Sequence, residues 1–478
     1  MTADGPPMKL LTFLSSLLLG GYASGQIQPL VSTYLGDGSR NYYGDRAPTA
    51  LRVKWKTYLG SGKTQLGPRV TKTWKGAGWT GQPLVISEDG EIYLIQGTLS
   101  HHLKKIRARD GKVVWSTNVG DVIKGTPTFT DVGGGTAEQR YVLITGSRSG
   151  FGVNFETGPA WSLHGISYLT GKKLWRHNSR RTASISRDVD ASALVLSGGK
   201  AIVPLENGYL TVLSPDVRKA RGTGIPAPKI FSQTTLFRQE DLRPYQGDIC
   251  PESSPTLYKG KVYTAAGPGR VHRYSSGIFG GNKVILNVGG DLNGTMPVTG
   301  DGHFLLGIEK QVMEGQGGVM KFTPGGKVKW FAPTKTKRFY SWEGGLVGSP
   351  AVNARYRSVI SNQLACFVGV EGMLTLVDHT RTQPGVRVAG PRKSKSYPTP
   401  VVLDQVQLPS GSISSPLFLG DKIVVGYDRG LDLYQVTEGL KLRRLARLPG
   451  VMFDATPVCW GGRVYAASKN GYLYCLGD

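Results

Sequence analysis

The sequence has few cysteines and none of the short motifs that mark common hydrolase sites. Its four cysteines, Cys250, Cys366, Cys459 and Cys475, lack the paired spacing of zinc ligands. Cys459 and Cys475 are expected in the same small sheet, either joined as a disulfide or present as buried free thiols. The sequence also contains no Gly-x-Ser-x-Gly elbow, phosphate-binding loop or metalloprotease signature, so nothing in it supports hydrolase chemistry.

Acidic residues are scarce compared with basic ones. The chain has 33 Asp and Glu against 58 Lys and Arg, a formal net charge of +25. This excess predicts attraction to polyanions, and for an exported protein those are acidic cell-surface polymers or anionic lipid headgroups rather than nucleic acid. The basic clusters near Lys335, Arg392 and Lys441 are scattered over predicted turns. Their distribution favours a solvated surface, with peripheral membrane association as a further option.

No apolar run in the sequence is long enough to span a bilayer. Residues 10–19 form an apolar stretch after Lys9, and the small residues at 23–25 follow it. About ten apolar residues fall short of the roughly 20 that a membrane-spanning helix needs. The pattern predicts a signal peptide over residues 1–25, cleaved before Gln26, and a periplasmic or extracellular mature protein. An uncleaved anchor is the alternative.

Glycine and proline, in contrast, are abundant, with 67 and 28 copies. They interrupt short apolar runs, and long amphipathic helical stretches are missing, so an all-β fold is predicted.

Eight units repeat a small or polar residue, a short strand, a turn and a second strand, as in SSPLFLGDKIVVGYDRGLDLYQV. Short sheets repeated radially build a β-propeller. Residues 26–478 are therefore predicted to form one domain, an eight-bladed β-propeller of four-stranded antiparallel blades. Seven blades would result if the least regular unit, which begins at Ala191, were an insertion.

Strands that contain tryptophan follow some of these units, at Trp115, Trp175 and Trp330, and are expected to be the outer strands of their blades. One more such strand, around residues 51–60, has no unit before it. Its Trp55 is spaced evenly with Trp115 and Trp175. The ring is therefore predicted to close by pairing of this N-terminal strand with the C-terminal blade at GYLYCLG, which also removes an exposed sheet edge.

The turns before two of these tryptophans carry a recognisable pattern. Residues 108–112, ARDGK, precede Trp115, and residues 170–172, TGK, precede Trp175. They resemble the tryptophan-docking motif of the quinoprotein-type propellers, or PQQ-like repeats. The resemblance implies one of two classes, the quinone-dependent alcohol and sugar dehydrogenases or the non-enzymatic propeller of the outer-membrane barrel assembly machinery. The dehydrogenases use calcium, pyrroloquinoline quinone (PQQ), a catalytic aspartate and often adjacent cysteines. This sequence has neither a Cys-Cys pair nor a Cys-x-x-Cys-His haem site.

Polar residues precede nearly every predicted inner strand, and such positions converge on the axis at one face of a propeller. Their oxygens could bind a hard cation such as calcium or a polar ligand, or they could simply close turns by bonding their own backbone. The candidate cofactor-binding residues are Trp79, Asp248, Glu252, Asp291, Asn293, Trp342, Glu343 and Asp454. The candidate metal ligands are Asp248, Glu252 and Glu343. Trp79 and Trp342 could also stack on a planar or sugar-like ligand.

Glu309 follows an apolar run, and an inward orientation would require a cationic or metal partner. A buried ion pair at a blade interface is the simpler expectation.

The leading hypothesis is a non-enzymatic binding or scaffold protein of the cell envelope. It is expected to be monomeric and to bind another envelope protein or an acidic polymer. The alternative is a PQQ- and calcium-dependent dehydrogenase of alcohols or sugars, and glycan binding is a third option.

Overall fold

Short antiparallel strands make up almost the whole fold. The computed structural model describes residues 26–67, 69–275, 281–356 and 360–478. The predicted signal peptide, residues 1–25, lies outside the described residues. Within those ranges, no helix combines the length and the apolar character needed to cross a bilayer.

The chain starts with β1 (Ile27–Val31), β2 (Arg52–Tyr58), β3 (Ser61–Gly67) and β4 (Val70–Lys75). Blade 1 follows with β5 (Leu84–Glu88), β6 (Glu91–Gly97), β7 (His102–Arg107) and β8 (Val113–Asn118). Blade 2 contains β9 (Thr128–Asp131), the short helix α1 (Ala137–Arg140), β10 (Tyr141–Gly146), β11 (Trp161–Ser167) and β12 (Lys173–Asn178). Blade 3 contains β13 (Leu194–Leu196), β14 (Lys200–Leu205), β15 (Tyr209–Leu213) and β16 (Ile230–Thr235), with 3₁₀ turns at Val217–Lys219 and Gln239–Asp241. Blade 4 contains β17 (Thr256–Tyr258), β18 (Lys261–Ala266), β19 (Arg270–Ser275) and β20 (Lys283–Asn287).

Blade 5 contains β21 (Phe304–Ile308), β22 (Gly318–Phe322) and β23 (Val328–Pro333). Blade 6 contains β24 (Ala351–Val352), β25 (Leu364–Val368), β26 (Met373–Ala389) and β27 (Ser396–Gln407). Blade 7 contains β28 (Leu417–Leu419), β29 (Lys422–Tyr427), β30 (Gly430–Val436) and β31 (Leu442–Pro449). Blade 8 contains β32 (Val458–Trp460), β33 (Arg463–Ala467) and β34 (Tyr472–Gly477).

These sheets confirm the eight-bladed β-propeller, and the irregular unit at Ala191 forms a complete blade. Two blades depart from four strands. Blade 1 gains β1 on its inner edge, and blade 5 has three strands plus a single bridge between Val298 and Phe304 in place of the inner strand. The predicted ring closure is also confirmed, because β2 pairs with β34 from Arg52 opposite Gly477 to Tyr58 opposite Tyr472 and becomes the outer strand of blade 8.

Tryptophans of the outer strands join neighbouring blades. Each indole N–H donates to a backbone carbonyl of the next blade: Trp55 to Ala108 at 3.0 Å, Trp115 to Tyr168 at 3.0 Å, Trp175 to Pro215 at 2.7 Å and Trp330 to His379 at 2.8 Å. The Gly-Lys turns at Gly111 and Gly171 sit directly against the rings of Trp55 and Trp115. A Cβ at Gly111, for example, would lie 2.7 Å from the Trp55 ring.

A belt of hydroxyl hydrogen bonds joins the inner strands near the axis. A Ser or Thr one or two residues before the recurring proline of a unit accepts a hydrogen bond from a backbone N–H of the preceding blade. The bonds run from Gln82 N to Thr126 Oγ1 (2.9 Å), Ser192 N to Ser254 Oγ (2.9 Å), Ser254 N to Thr295 Oγ1 (3.0 Å), Thr295 N to Ser349 Oγ (2.9 Å) and Ser349 N to Ser415 Oγ (2.7 Å). At the other blade junctions, Ser192 Oγ donates to Thr126 O, Ser414 Oγ to Ala455 O, and Thr456 N to Thr80 O.

Residues 32–46, here called the plug, cross the axis on one side of this belt. The plug is bonded to every blade, through the pairs Leu35–Gln82, Ser32–Phe129, Thr33–Ala193, Gly38–Leu257, Ser39–Val298, Tyr43–Val352, Tyr34–Ser415 and Tyr43–Cys459. Its Arg40 is fully buried and donates to the carbonyls of Pro255 and Tyr34. The plug therefore closes one end of the axial channel, a feature that the sequence analysis did not predict.

We expect Gly111→Ala to destabilise the fold more than Gly90→Ala does. Both glycines have left-handed backbones, with φ of +74° and +80°, but a Cβ at Gly90 meets nothing within 4 Å. The shared backbone strain costs about 1–2 kcal/mol, and the clash with Trp55 should add about 1–3 kcal/mol in Gly111→Ala. Urea unfolding of both variants measures the difference, and equal losses would contradict docking of Trp55 on this turn.

Tyr34→Phe should lower the free energy of unfolding by about 1–2 kcal/mol, because it removes the 2.7 Å hydrogen bond between the Tyr34 and Ser415 hydroxyls and leaves Ser415 only the bond from the Ser349 N–H. Tyr42→Phe is the matched control, since Tyr42 lies in the same plug but is only partly buried. Urea unfolding of each variant tests the role of the plug. A loss in Tyr42→Phe as large as that in Tyr34→Phe would argue against it.

Candidate functional site

The inner strands surround an axial cavity of about 370 Å³ on the side of the belt away from the plug. Most of its lining residues come before the belt residues of their blades, and Leu99, Glu309, Gln311 and Lys469 come from turns after second strands, whereas the blade residues that contact the plug lie at or beyond the belt. The lining consists of Trp74, Gly78, Trp79, Leu99, Lys124, Asp190, Asp248, Cys250, Glu252, Asp291, Asn293, Glu309, Gln311, Trp342, Val347, Ile413, Asp454 and Lys469.

The structure brings together all of the predicted cofactor-binding residues except Glu343. That side chain is exposed and lies outside the cavity lining, so its predicted placement was wrong. Phe339 and Trp342 exchange backbone hydrogen bonds of 2.9 and 3.0 Å, which turns the Trp342 ring toward the cavity. Glu343 then points the other way, as consecutive residues of an extended chain do. The proposed metal site of Asp248, Glu252 and Glu343 therefore does not assemble.

A different carboxylate group lies at the base of the cavity. Oxygens of Asp190, Glu206 and Glu252 are all within 4.8 Å of one another. The Lys124 ammonium contacts Asp190 and lies 3.8 Å from Asp188. Asp188 also pairs with the Arg148 guanidinium at 3.2 Å, at the edge of the group. The group thus has more carboxyl groups than nearby cations.

Burial controls the ionisation of this group. Burial raises the pKa of Glu206 and of Glu252 well above the usual range, and the negative charge of Asp190 raises both further. Burial also raises the pKa of Asp190, although the Lys124 ammonium opposes it. For Lys124 itself, burial favours the neutral amine, but the surrounding carboxylates outweigh it, and its pKa is raised well above the usual value. The lysine therefore stays charged.

A second carboxyl group surrounds Asn293. The Asn293 amide donates to Asp291 Oδ2 at 3.0 Å and to Glu309 Oε2 at 2.8 Å, and the Gln311 amide donates to Asp248 Oδ2 at 2.9 Å. The ion pair expected for Glu309 is not present among the described residues, so that expectation was wrong. Burial instead raises the pKa of Glu309 to about 8, against the effect of the Asn293 hydrogen bond and with a contribution from Asp248.

The opposite side of the cavity is mostly apolar, apart from Asp454 and Lys469 of blade 8. Val347 and Ile413 belong to a small buried cluster against which Trp79 and Trp342 pack. These four residues, here called the apolar wall, come from blades 6, 7 and 1. The acidic wall, defined as Asp190, Asp248, Glu252, Asp291 and Glu309, comes from blades 3 to 5, across the axis. The cavity is therefore amphipathic.

Sequence reasoning missed Glu206 as a member of the site and misjudged Glu309, and the two have equivalent positions. Glu206 directly follows β14 and Glu309 directly follows β21, the second strands of their blades. A second strand runs antiparallel to the inner strand, so its last residue lies beside the first residue of the inner strand. A charged residue directly after the second strand of a unit was therefore the sequence signal that could have placed both side chains at the axis.

The cysteines provide no redox centre. All four are buried and none forms a disulfide, and only Cys250 lines the cavity. Burial raises the pKa of the Cys250 thiol well above its usual value, which keeps it protonated. Cys459 and Cys475 lie on β32 and β34, which are separated by β33, too far apart for a disulfide without backbone movement.

Two solved structures share this fold. BamB from Moraxella catarrhalis aligns with a TM-score of 0.53 and 14% identity, over 90% of this chain and 100% of that chain. The quinohemoprotein alcohol dehydrogenase from Comamonas testosteroni aligns with a TM-score of 0.52 and 13% identity, over 94% of this chain and 81% of that chain. At these identities the likeness concerns the fold alone.

Among curated proteins, none matches the chain in sequence. A family model does match, over residues 52–322, and its description is outer membrane protein assembly factor BamB. Because the match covers more than half of the chain and the structure shows the same type of propeller, the chain belongs to this family of PQQ-like propellers.

Proposed function

We propose that the protein is a non-enzymatic binding protein of the cell envelope that acts as a scaffold. The family description, an assembly factor of the outer membrane, supports this role, and so does the predicted signal peptide over residues 1–25. The observation that carries the proposal is the charge of the axial cavity, where a quinoprotein dehydrogenase would hold its cofactor.

The cavity does not fit PQQ. This quinone is a tricarboxylic acid and is anionic at neutral pH, so its site must supply cations. Among the described residues, the cavity lining contains two cations, Lys124 and Lys469, against the five carboxyl groups of the acidic wall and Asp454. Lys124 is already paired with Asp190. Any of these carboxyl groups that is ionised would repel the anionic cofactor, and two lysines are too few to pair with its three carboxylates, so the acidic wall disfavours this cofactor.

Calcium fits the cavity only in part. Asp190, Glu206 and Glu252 are the residues that would hold it, since their oxygens approach one another within 4.8 Å. However, the Lys124 ammonium lies against Asp190, so a divalent ion would have to share that carboxylate with another cation. Calcium also prefers six to eight oxygen ligands. The carboxyl group that would bind calcium is thus already paired with a lysine of the protein, and no redox step is proposed for the cavity.

We expect PQQ with calcium to leave the thermal unfolding midpoint of the mature protein unchanged and to support no dye-linked oxidation of alcohols or sugars. A ligand present at about 100 times its dissociation constant would add roughly 2.7 kcal/mol of stability, so binding would be visible. The dehydrogenase alternative would be supported by a rise in the midpoint that requires the quinone and disappears in Glu252→Gln.

The buried carboxyl groups also predict a pH dependence of stability. The folded protein keeps the proton of Glu309 up to a pKa of about 8, whereas the unfolded chain loses it near the ordinary value of 4.5. The folded state therefore binds more protons between these pH values, and its stability falls as the pH rises through them. Relative to wild type, Glu309→Gln should gain on the order of 3 kcal/mol between about pH 5 and pH 8.

Urea unfolding across this pH range measures the effect. Glutamine mimics the protonated carboxyl and can still accept the Asn293 hydrogen bond. Glu438→Gln is the control, because Glu438 is exposed and is not part of the cavity lining. A constant difference between Glu309→Gln and wild type would contradict the assignment of a proton to Glu309.

A further inference from the structure

We propose that the axial cavity binds the side chain of a lysine or arginine presented by a polypeptide partner. The inference rests on the proposed binding function and names the chemistry of the partner. It depends on three features of the described residues, namely carboxyl groups without cations, an apolar wall opposite them, and an adjoining groove.

Most of the acidic wall has no cationic partner. Asp248, Glu252, Asp291 and Glu309 line the cavity, and within the described ranges none of them forms an ion pair with a lysine or arginine. A cation that enters would therefore be received by several carboxyl groups at once. Carboxylates that hydrogen-bond a cation in a water-poor site hold it more strongly than surface pairs do.

Two deeper carboxyl groups have unused acceptors. Asp190 and Glu206 are each 2% exposed. Neither oxygen of Asp190 accepts a hydrogen bond beyond its contact with Lys124, and Glu206 Oε1 accepts none. Buried acceptors without partners are destabilising, and a donor from a ligand would remove that penalty. Lys124 shows that an ammonium group is accommodated at this position.

The apolar wall favours an organic cation over a metal ion. The stem of a lysine or arginine side chain can lie along Val347 and Ile413 while its charged end reaches the carboxyl groups. The rings of Trp79 and Trp342 add favourable contacts, because aromatic faces attract ammonium and guanidinium groups. A hydrated metal ion would leave this wall in contact with water.

A second groove, of about 510 Å³, adjoins the cavity and could receive neighbouring residues of the partner. Arg148 lines this groove and lies 6.0 Å from the ring of Trp74, which lines the cavity. The rim of the groove carries exposed apolar side chains, with Leu66 42% and Ile185 57% exposed. Because the chain as a whole carries +25, an acidic polypeptide with one basic side chain at its contact point is the complementary partner.

The probe is Nα-acetyl-lysine methylamide, with the norleucine analogue as its uncharged counterpart. The lysine compound should raise the thermal unfolding midpoint of the mature protein and give a calorimetric binding signal, and the norleucine compound should do neither. Glu252→Gln and Asp291→Asn should each weaken binding of the lysine compound by about tenfold or more, which corresponds to about 1.4 kcal/mol. Glu438→Gln, far from the cavity, should bind like wild type, and circular dichroism verifies that each variant is folded.

Three outcomes would overturn the inference. Equal binding of the norleucine compound would show that the charge is not recognised. Stabilisation by calcium alone, lost in Glu206→Gln and accompanied by no response to lysine, would make the cavity a metal site. No response to lysine, calcium or PQQ would remove the inference while leaving the proposed scaffold function intact. Stabilisation by PQQ, in contrast, would overturn the scaffold function itself.

Discussion

The hydroxyl belt is the interaction on which the rest of the structure depends. Inner strands of neighbouring blades diverge from the axis and cannot share a ladder, so the backbone N–H groups that face the next blade need another acceptor. The Ser or Thr before the recurring proline supplies it, as Ser349 does for Thr295. Proline keeps the preceding residue extended, which holds its hydroxyl toward the neighbouring blade. This repeat position therefore sets where the inner strand begins at five of the eight blade junctions.

The belt separates two chemically different spaces. Residues before it, such as Glu252, face the open cavity, while residues beyond it, such as Val298, hold the plug. The plug carries a buried positive charge, on Arg40, that forms no ion pair among the described residues, although the charge of Asp37 acts in its favour. Burial lowers the pKa of Arg40 to about 10, but carbonyl oxygens satisfy its donors and it remains charged at neutral pH.

The repeat made the blades and much of the cavity predictable, because a position in the unit translates into a position around the axis. Trp55 located the closing strand by its spacing alone. The orientation of Glu343 was not predictable in this way, since a local turn reverses the side chain. The partner of Glu309 depended on a neighbouring strand rather than on its own segment. The plug, residues 32–46, has no periodic pattern at all, and only its contacts with all eight blades order it.

The cavity concentrates carboxyl groups in a chain whose net charge is +25. If all of them were ionised, their mutual repulsion and loss of hydration would exceed what two lysines can compensate. Protons on groups such as Glu252 and Asp291, whose pKa values burial raises, keep the group near neutrality. A cation that enters replaces those protons instead of adding to the charge. A neutral or anionic ligand cannot take the place of these protons, so the buried carboxyl groups favour a ligand that brings positive charge.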